Sequence, residues 1–412
     1  MIWSRVRSTW GQFPAQVWLF FAGMIISRMG ASMTWPFLVV YMVEQLELPL
    51  ASVTSLVTIN SATGLLAALV VGPIADRAGR KGVMVNSLLF TGLGFLGLIW
   101  ARDYWHFALL MAVRGAFGPL YEVGSNAMLA DLIPPGRRDE AYALLRLGSN
   151  LGIAVGPALG GIIASRSYAT TFALAAAGMV IFGLLILLFA RETLPQASPT
   201  KSRAREPLGG YLAVIRDTRF VLVTGAFTLV MVSTTILWLL QAVYAKQQYG
   251  VTESQYGFIP MTNALMVVLF QMGVTRRTRR YPALWMMALG ALLYALGVGS
   301  VALGAGFWAF WASMVVLTVG ELILMPTAST YIANLAPADM RGRYMGLYSL
   351  TWYLASAVGP VSGGVLSDTL GPRAMWYGGG MFGLASTLGF AVLAVRAGRR
   401  PGSELAVGAP GS

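Results

Sequence analysis

The sequence predicts an all-α membrane protein of twelve transmembrane helices, arranged as two six-helix bundles related by pseudo-two-fold symmetry. Three observations carry that prediction. Of 412 residues, 57% are hydrophobic and only 11% charged, against roughly 45–50% and about 25% in soluble domains. The charges fall between apolar runs, each near the ~20 residues that cross a bilayer core as a helix. The second half of the chain repeats the first. A water-soluble fold is excluded by the first two alone.

The runs, in order, are 17–43, 50–72, 83–101, 106–130, 141–165, 168–190, 219–244, 254–274, 282–303, 307–333, 342–367 and 374–395. Charged residues precede the first run and no small-residue cleavage site follows it, so it reads as a retained span rather than a signal peptide. The longest polar stretch, 191–218, carries Pro195, Pro199 and Pro207 and divides the chain almost in half. This gives an N-terminal bundle (1–190), a linker (191–218), a C-terminal bundle (219–397) and a disordered tail (398–412). Within the linker, Tyr211–Phe220 is predicted as a short amphipathic helix on the membrane surface.

Basic residues set the orientation. Loops on one side hold 22 Lys and Arg, including Arg77, Arg80, Lys81 and the run Arg276, Arg277, Arg279, Arg280; the opposite loops hold Arg102, Arg166, Lys246 and Arg373. By the positive-inside rule both termini face the cytoplasm, which predicts a multi-pass protein of the cell (plasma) membrane. The net charge of +13 is therefore a topology signal, and nucleic acid is not an expected partner.

Residues 129–161 align without a gap on 332–364 at a shift of 203. Thirteen of the 33 positions are identical, among them Arg138/Arg341, the Ala-Val-Gly-Pro runs 154–157 and 357–360, and Gly160-Gly161/Gly363-Gly364. The match joins spans four and five to spans ten and eleven. Six spans per half in one orientation is the parallel repeat of transporters whose site lies between the halves.

With no cysteine and a single histidine, the chain has no disulfide framework, thiol nucleophile or thiolate metal site. No Ser/His constellation or phosphate-binding loop is present. The chain is therefore not expected to be an enzyme, nor to hold a metal or cofactor.

The loop between spans two and three reads Gly72-Pro73-Ile74-Ala75-Asp76-Arg77-Ala78-Gly79-Arg80-Lys81. It matches G-x-x-x-D-R-x-G-R-K at every defining position, and here the chain resembles the major facilitator superfamily. The resemblance implies the major facilitator fold and a cytoplasmic latch holding the halves in an outward-open state, with Asp131 as partner of Arg80. The corresponding loop of the second half, Gly273–Arg280, has lost its acid. Span four holds Arg114-Gly115-Ala116-Phe117-Gly118, similar to the family's R-x-x-x-G motif of proton-coupled members. Span five holds Gly148, Gly152, Gly156, Pro157, Gly160 and Gly161. Glycines four apart let a neighbouring backbone approach closely; the pattern also resembles the antiporter motif of drug/proton exchangers such as bacterial multidrug efflux transporters.

Five charges lie inside spans: Arg28, Arg114, Glu122, Arg146 and Glu321. An ionised group at mid-bilayer costs several kcal/mol, so each marks a function or a pair. Glu122 is roughly 13 Å from the cytoplasmic end of span four and Glu321 roughly 20 Å from the start of span ten. Such a carboxylate can alternate between holding a proton and holding a cation or donor. Glu321 is the first candidate proton carrier and Glu122 the second, with Arg28 or Arg114 as the partner of Glu122. Arg146, only about 8 Å inside span five, reads as an interface anchor. Trp35, Tyr121, Trp238, Tyr348 and Trp352 are candidate walls of a substrate pocket, with core or interface packing as the alternative.

Together these readings predict a proton-coupled exporter of hydrophobic or amphiphilic compounds (multidrug/proton antiport by alternating access). A proton-coupled symporter or facilitator for peptides, organic anions or other small metabolites is the alternative. The E-x-x-E-R cluster of proton-coupled peptide carriers is missing from span one, which reads Ser27-Arg28-Met29-Gly30-Ala31-Ser32. The expected partners are a small-molecule substrate, protons and the lipid bilayer, and the expected state is a monomer.

Overall fold

The computed structural model describes residues 13–193, 209–337 and 340–398, with only the main chain described at 72, 73, 76–78, 135, 139 and 209–212. The 398–412 tail, beyond its first residue, and linker residues 194–208 lie outside the described residues. Twelve long helices follow in order: α1 (Ala15–Leu46), α2 (Leu50–Ala78), α3 (Arg80–Gly97), α4 (Tyr104–Leu132), α5 (Arg138–Ala164), α6 (Tyr168–Phe189), α7 (Thr218–Tyr249), α8 (Phe258–Thr278), α9 (Ala283–Ser300), α10 (Gly306–Leu335), α11 (Arg341–Leu370) and α12 (Ala374–Gly398).

Local chemistry sets several starts. The carboxylate of Asp103 accepts from the N–H groups of Trp105 and His106, each at 3.1 Å, and so caps α4. Ser167 caps α6 through the Thr170 N–H, and Asp217 caps α7 through those of Arg219 and Phe220. Each satisfies donors that the first turn of a helix leaves free. Pro14, Pro49 and Pro282 precede α1, α2 and α9.

Every predicted span has its helix, but several helices outrun their apolar stretch. A helix satisfies its own backbone hydrogen bonds and need not stop at the hydrocarbon edge. Lys246, expected in a loop, therefore sits in the last turn of α7. The surface helix predicted over 211–220 is instead Gly209–Arg216, because Asp217 leaves the helix to cap α7. Nine spans among the described residues are apolar enough to cross a membrane on composition alone. The other three long helices are α3, with Arg80 and Lys81 in its first turn, α4, with Arg114 and Glu122, and the Gly- and Ser-rich α11.

The repeat extends beyond the stretch that revealed it. At the same shift of 203, the bounds of α1 coincide with those of α7, and the bounds of α3 with those of α9. The packing repeats too. α1 lies on α5, α2 on α4, and α3 on α4 and α6; correspondingly α7 lies on α11, α8 on α10, and α9 on α10 and α12. In the first bundle Gly148, Gly152, Gly156 and Gly160 form one face of α5, where side chains would collide with α1 at Phe21, Met29, Ser32 and Met33. The hydroxyl of Ser32 reaches the Gly152 carbonyl at 3.2 Å, and its repeat mate Thr235 reaches that of Ala355 at 3.0 Å. The two bundles meet through α2 against α11 and α5 against α8, pairs that the pseudo-symmetry exchanges.

Candidate functional site

Contacts between the bundles gather toward the end whose loops are poor in basic residues. Gly161 and Pro157 of α5 pack on the main chain at Glu253 and Gly257, ahead of α8, and Gly364 of α11 packs on Ala51 and Thr54 of α2. Asp368 of α11 accepts from the N–H groups of Leu50 (3.1 Å) and Ala51 (2.8 Å), capping α2 from the other bundle. Lys246 of α7 pairs with both Glu44 of α1 and Glu253. Tyr168 of α6 donates to Glu253 at 2.5 Å. Thr58 donates to the Ala357 carbonyl at 2.6 Å, and nearer the middle Gly64 touches the Tyr353 ring. This end is shut by a charged cluster and by helix main chains in contact.

Beyond that closure the bundle faces are open. Glu122, midway along α4, has 68% of its side chain exposed and stands 3.8 Å from Arg28 of α1, itself 39% exposed. Glu122 also lies within electrostatic reach of the Tyr353 hydroxyl across the gap. Gly118, one turn before it, has no atom within contact distance of where a side chain would begin. Trp352, on the α11 face between those that meet α7 and α2, is 46% exposed. An exposed carboxylate–arginine pair and an exposed indole therefore flank the same gap.

Of the two basic candidates for Glu122, the structure brings Arg28 and not Arg114. The Arg114 guanidinium lies 4.1 Å from the Phe95 ring centroid and reaches the Met111 sulfur at 3.7 Å, between α3 and α4. Its Nε has no partner among the described residues. Arg146 is exposed on α5.

Glu321 occupies the middle of α10. Its Oε2 accepts from the Asn263 amide of α8 at 2.7 Å, and the same amide donates to Thr318 at 2.9 Å. Among the described residues no arginine, lysine or histidine pairs with Glu321. A neutral side chain thus holds this carboxylate inside the second bundle.

The candidate pocket residues divide. Trp352 faces the gap, and Trp35 and Trp238 are half-buried. Tyr121 is 7% exposed and packs edge-on against Phe182 of α6, so its ring belongs to the first bundle's core. Tyr348 is half-buried, 4.8 Å from Phe227 between ring centroids.

At the basic-rich end Arg80 pairs with Asp131, as the motif implied, and also donates to the Ala127 carbonyl at 3.1 Å. Glu192, after α6, takes the N–H groups of Arg80 (3.2 Å) and Lys81 (3.0 Å), capping α3. Gly79, at φ +88°, lies so close to the Glu192 carboxylate that a side chain there would strike it. Asp131 and Ala127 belong to the first bundle, and Glu192 directly follows its last helix. The side chains of Gly72, Asp76 and Arg77 lie outside the described residues. Sequence reasoning missed Asn263, Glu192, Asp368 and the Lys246 cluster; for Asn263 the available signal was an amide inside an apolar run.

A family model described as Major Facilitator Superfamily matches residues 20–239 and 223–410. A Na(+), Li(+), K(+)/H(+) antiporter of Planococcus maritimus is 28% identical over 378 residues, covering 84% of this chain and 87% of its own. Multidrug resistance protein MdtH of Shigella boydii serotype 4 is 26% identical, covering 80% of this chain and 82% of its own. Among solved structures, peptide transporter POT in complex with sulfate superposes with a TM-score of 0.77 at 18% identity, over 93% of this chain and 95% of that one. A mutant of nucleoside transporter NupG gives 0.80 at 12% identity, over 92% and 99%. With these matches spanning both bundles, the chain belongs to the Major Facilitator Superfamily and is a multi-pass membrane transporter.

Proposed function

We propose that this transporter is a proton-coupled exporter that exchanges protons for hydrophobic or amphiphilic compounds across the plasma membrane. The supporting observation is Glu321, a carboxylate midway along α10 whose described partner is the neutral amide of Asn263. A permanent cation beside it would keep it ionised in every state. An amide can donate to the carboxylate when it is ionised and accept from it when it is protonated. The carboxylate is therefore free to gain and lose a proton as access alternates. The Arg28–Glu122 pair is the second proton-coupling element, with Arg114 as a buried charge behind it, and Trp35, Trp238, Tyr348 and Trp352 supply apolar wall for a broad range of ligands. Two relatives, named as a multidrug resistance protein and a cation/proton antiporter, favour exchange over uptake.

With the basic-rich end in the cytoplasm, the shape described above is open inward. Substrate enters between the bundles, and proton binding from outside follows once Lys246, Glu44 and Glu253 separate. Closure of the cytoplasmic end would then bring the loop of Asp76 and Arg77 against the second bundle as the latch.

Dye efflux from a pump-deficient host, and counterflow in proteoliposomes with an imposed pH gradient, test this reading. Glu321→Gln is expected to lose proton-driven efflux at least tenfold while keeping substrate exchange. Efflux at the parent rate would overturn the role of Glu321. Accumulation driven by inward protons would overturn export in favour of symport.

A further inference from the structure

Two equivalent corners of the repeat have diverged at the basic-rich end. In the first bundle, Arg80 is matched by Asp131, and Glu192 covers the N-terminus of α3. At the shift of 203, Arg80 becomes Ala283, Asp131 becomes Asn334 and Asp76 becomes Arg279. The start of α9 has no side-chain cap. Where Arg80 and Lys81 of the first corner meet carboxylates, the second corner holds a cavity of about 430 Å³ between the ends of α8, α9, α10 and α12.

Its walls combine three arginines with aromatic surface. Arg219, Arg279 and Arg280 line it together with Trp285, Tyr331 and Asn334. The Arg219 Nε donates to the Tyr331 hydroxyl at 2.8 Å, which fixes the guanidinium at the cavity wall. Asp217, two residues before Arg219 in the chain, is already occupied by two helix-capping N–H groups and the Tyr344 hydroxyl at 2.9 Å. No described carboxylate pairs with any of the three arginines. Arg279 and Arg280 are exposed.

The rim bears on which anion the arginines would take. Trp285 and Tyr281 are 46% and 47% exposed, and the surface beyond them carries exposed Leu289, Val392 and Val395. An aromatic pair at the edge of an apolar surface marks the headgroup level of a bilayer. Basic pockets between membrane helices at this depth hold lipid headgroups, and arginine favours phosphate through paired donors. We propose that this cavity binds the phosphate headgroup of an anionic phospholipid, whose acyl chains lie along α9 and α12. The site stands apart from the transport reading: an anionic lipid can hold the second bundle's loop whatever the substrate.

The test uses the full chain in nanodiscs of phosphatidylglycerol and phosphatidylcholine, with retained lipid counted by native mass spectrometry after mild extraction. The parent is expected to retain phosphatidylglycerol over phosphatidylcholine. Arg279→Gln with Arg280→Gln should lower that retention at least tenfold. Arg276→Gln with Arg277→Gln removes the same charge from the last turn of α8, at residues that do not line the cavity, and should leave retention unchanged. Thermal melts in detergent check that both variants fold. Equal loss in the two double variants would overturn a built site in favour of diffuse surface charge. Equal retention of phosphatidylcholine, or displacement of phosphatidylglycerol by millimolar inorganic phosphate, would overturn the lipid assignment.

Discussion

The two bundles share a frame and differ in what they hang on it. Asn60 of α2 and Asn263 of α8 are repeat mates. Asn60 donates to the Met111 carbonyl at 2.9 Å, whereas Asn263 donates to Thr318 and Glu321. The position equivalent to Glu321 is Gly118, beside the open gap. One polar hook between neighbouring helices serves as a structural tie in the first half and as the holder of a carboxylate in the second. The first half keeps its own carboxylate one turn further on, as Glu122, and pairs it with Arg28. The two halves thus share a common set of helix contacts on which their carboxylates sit at different positions with different partners.

The seams offer the sharpest way to break that comparison. Gly160 and Gly363 are repeat mates. A methyl group on Gly160 would meet the main chain of α1 at Met33, with the Cα at 2.7 Å and the carbonyl carbon at 2.8 Å. On Gly363 it would meet the end of the Leu240 side chain at 2.7 Å and Ile236 at 3.3 Å. Backbone cannot step aside and a leucine tip can. Gly160→Ala is expected to cost about 2 kcal/mol or more, within the range of overpacked cores, and Gly363→Ala well under ~1 kcal/mol. Melting in detergent reads both. Equal shifts would mean that the seams are interchangeable.

The asparagine pair comes next in size. Asn263→Ala removes the described donor of Glu321. Hydrogen bonds to charged groups are worth roughly 1.5–3 kcal/mol net, so proton-driven efflux should fall about tenfold, the equivalent of ~1.4 kcal/mol. Asn60→Ala frees only a main-chain carbonyl within a helix, so efflux should stay within about twofold of the parent. Similar losses in the two variants would show that Asn263 is a structural tie like its mate.

Much of the frame was legible because its signals run along the chain. Apolar length gave the spans, Lys and Arg counts gave the two kinds of end, and identity at a fixed shift gave the repeat. The Arg80–Asp131 pair was legible through a motif. The site was less so, because its contacts join distant stretches. Helix geometry put Arg114 about 12 Å along the axis from Glu122 and left Arg28 equally eligible; only packing α1 beside α4 decides for Arg28. The cluster at the closed end draws on positions 44, 168, 246 and 253, each unremarkable alone. Tyr121 had the right depth for a pocket wall, but its direction toward Phe182 is set by α6.

The smallest expected effect concerns the hydroxyls that the seams share. Ser32 reaches the carbonyls of Met29 and Gly152, and Thr235 those of Val232 and Ala355, four positions that the shift of 203 carries onto one another. Each hydroxyl has one hydrogen to divide between two carbonyls of helical residues. Losing it therefore leaves no acceptor stranded, and the net cost falls at the low end of the 0.5–1.5 kcal/mol typical of a protein hydrogen bond. Ser32→Ala and Thr235→Val should each lower stability by about 0.5 kcal/mol, and the double variant by their sum, since the two seams share no partner. The Ser32 seam lies beside Arg28, so if α1 moves on α5 during transport, Ser32→Ala alone should change the efflux rate. A rate change of the same size in Thr235→Val would mean that the two seams respond alike.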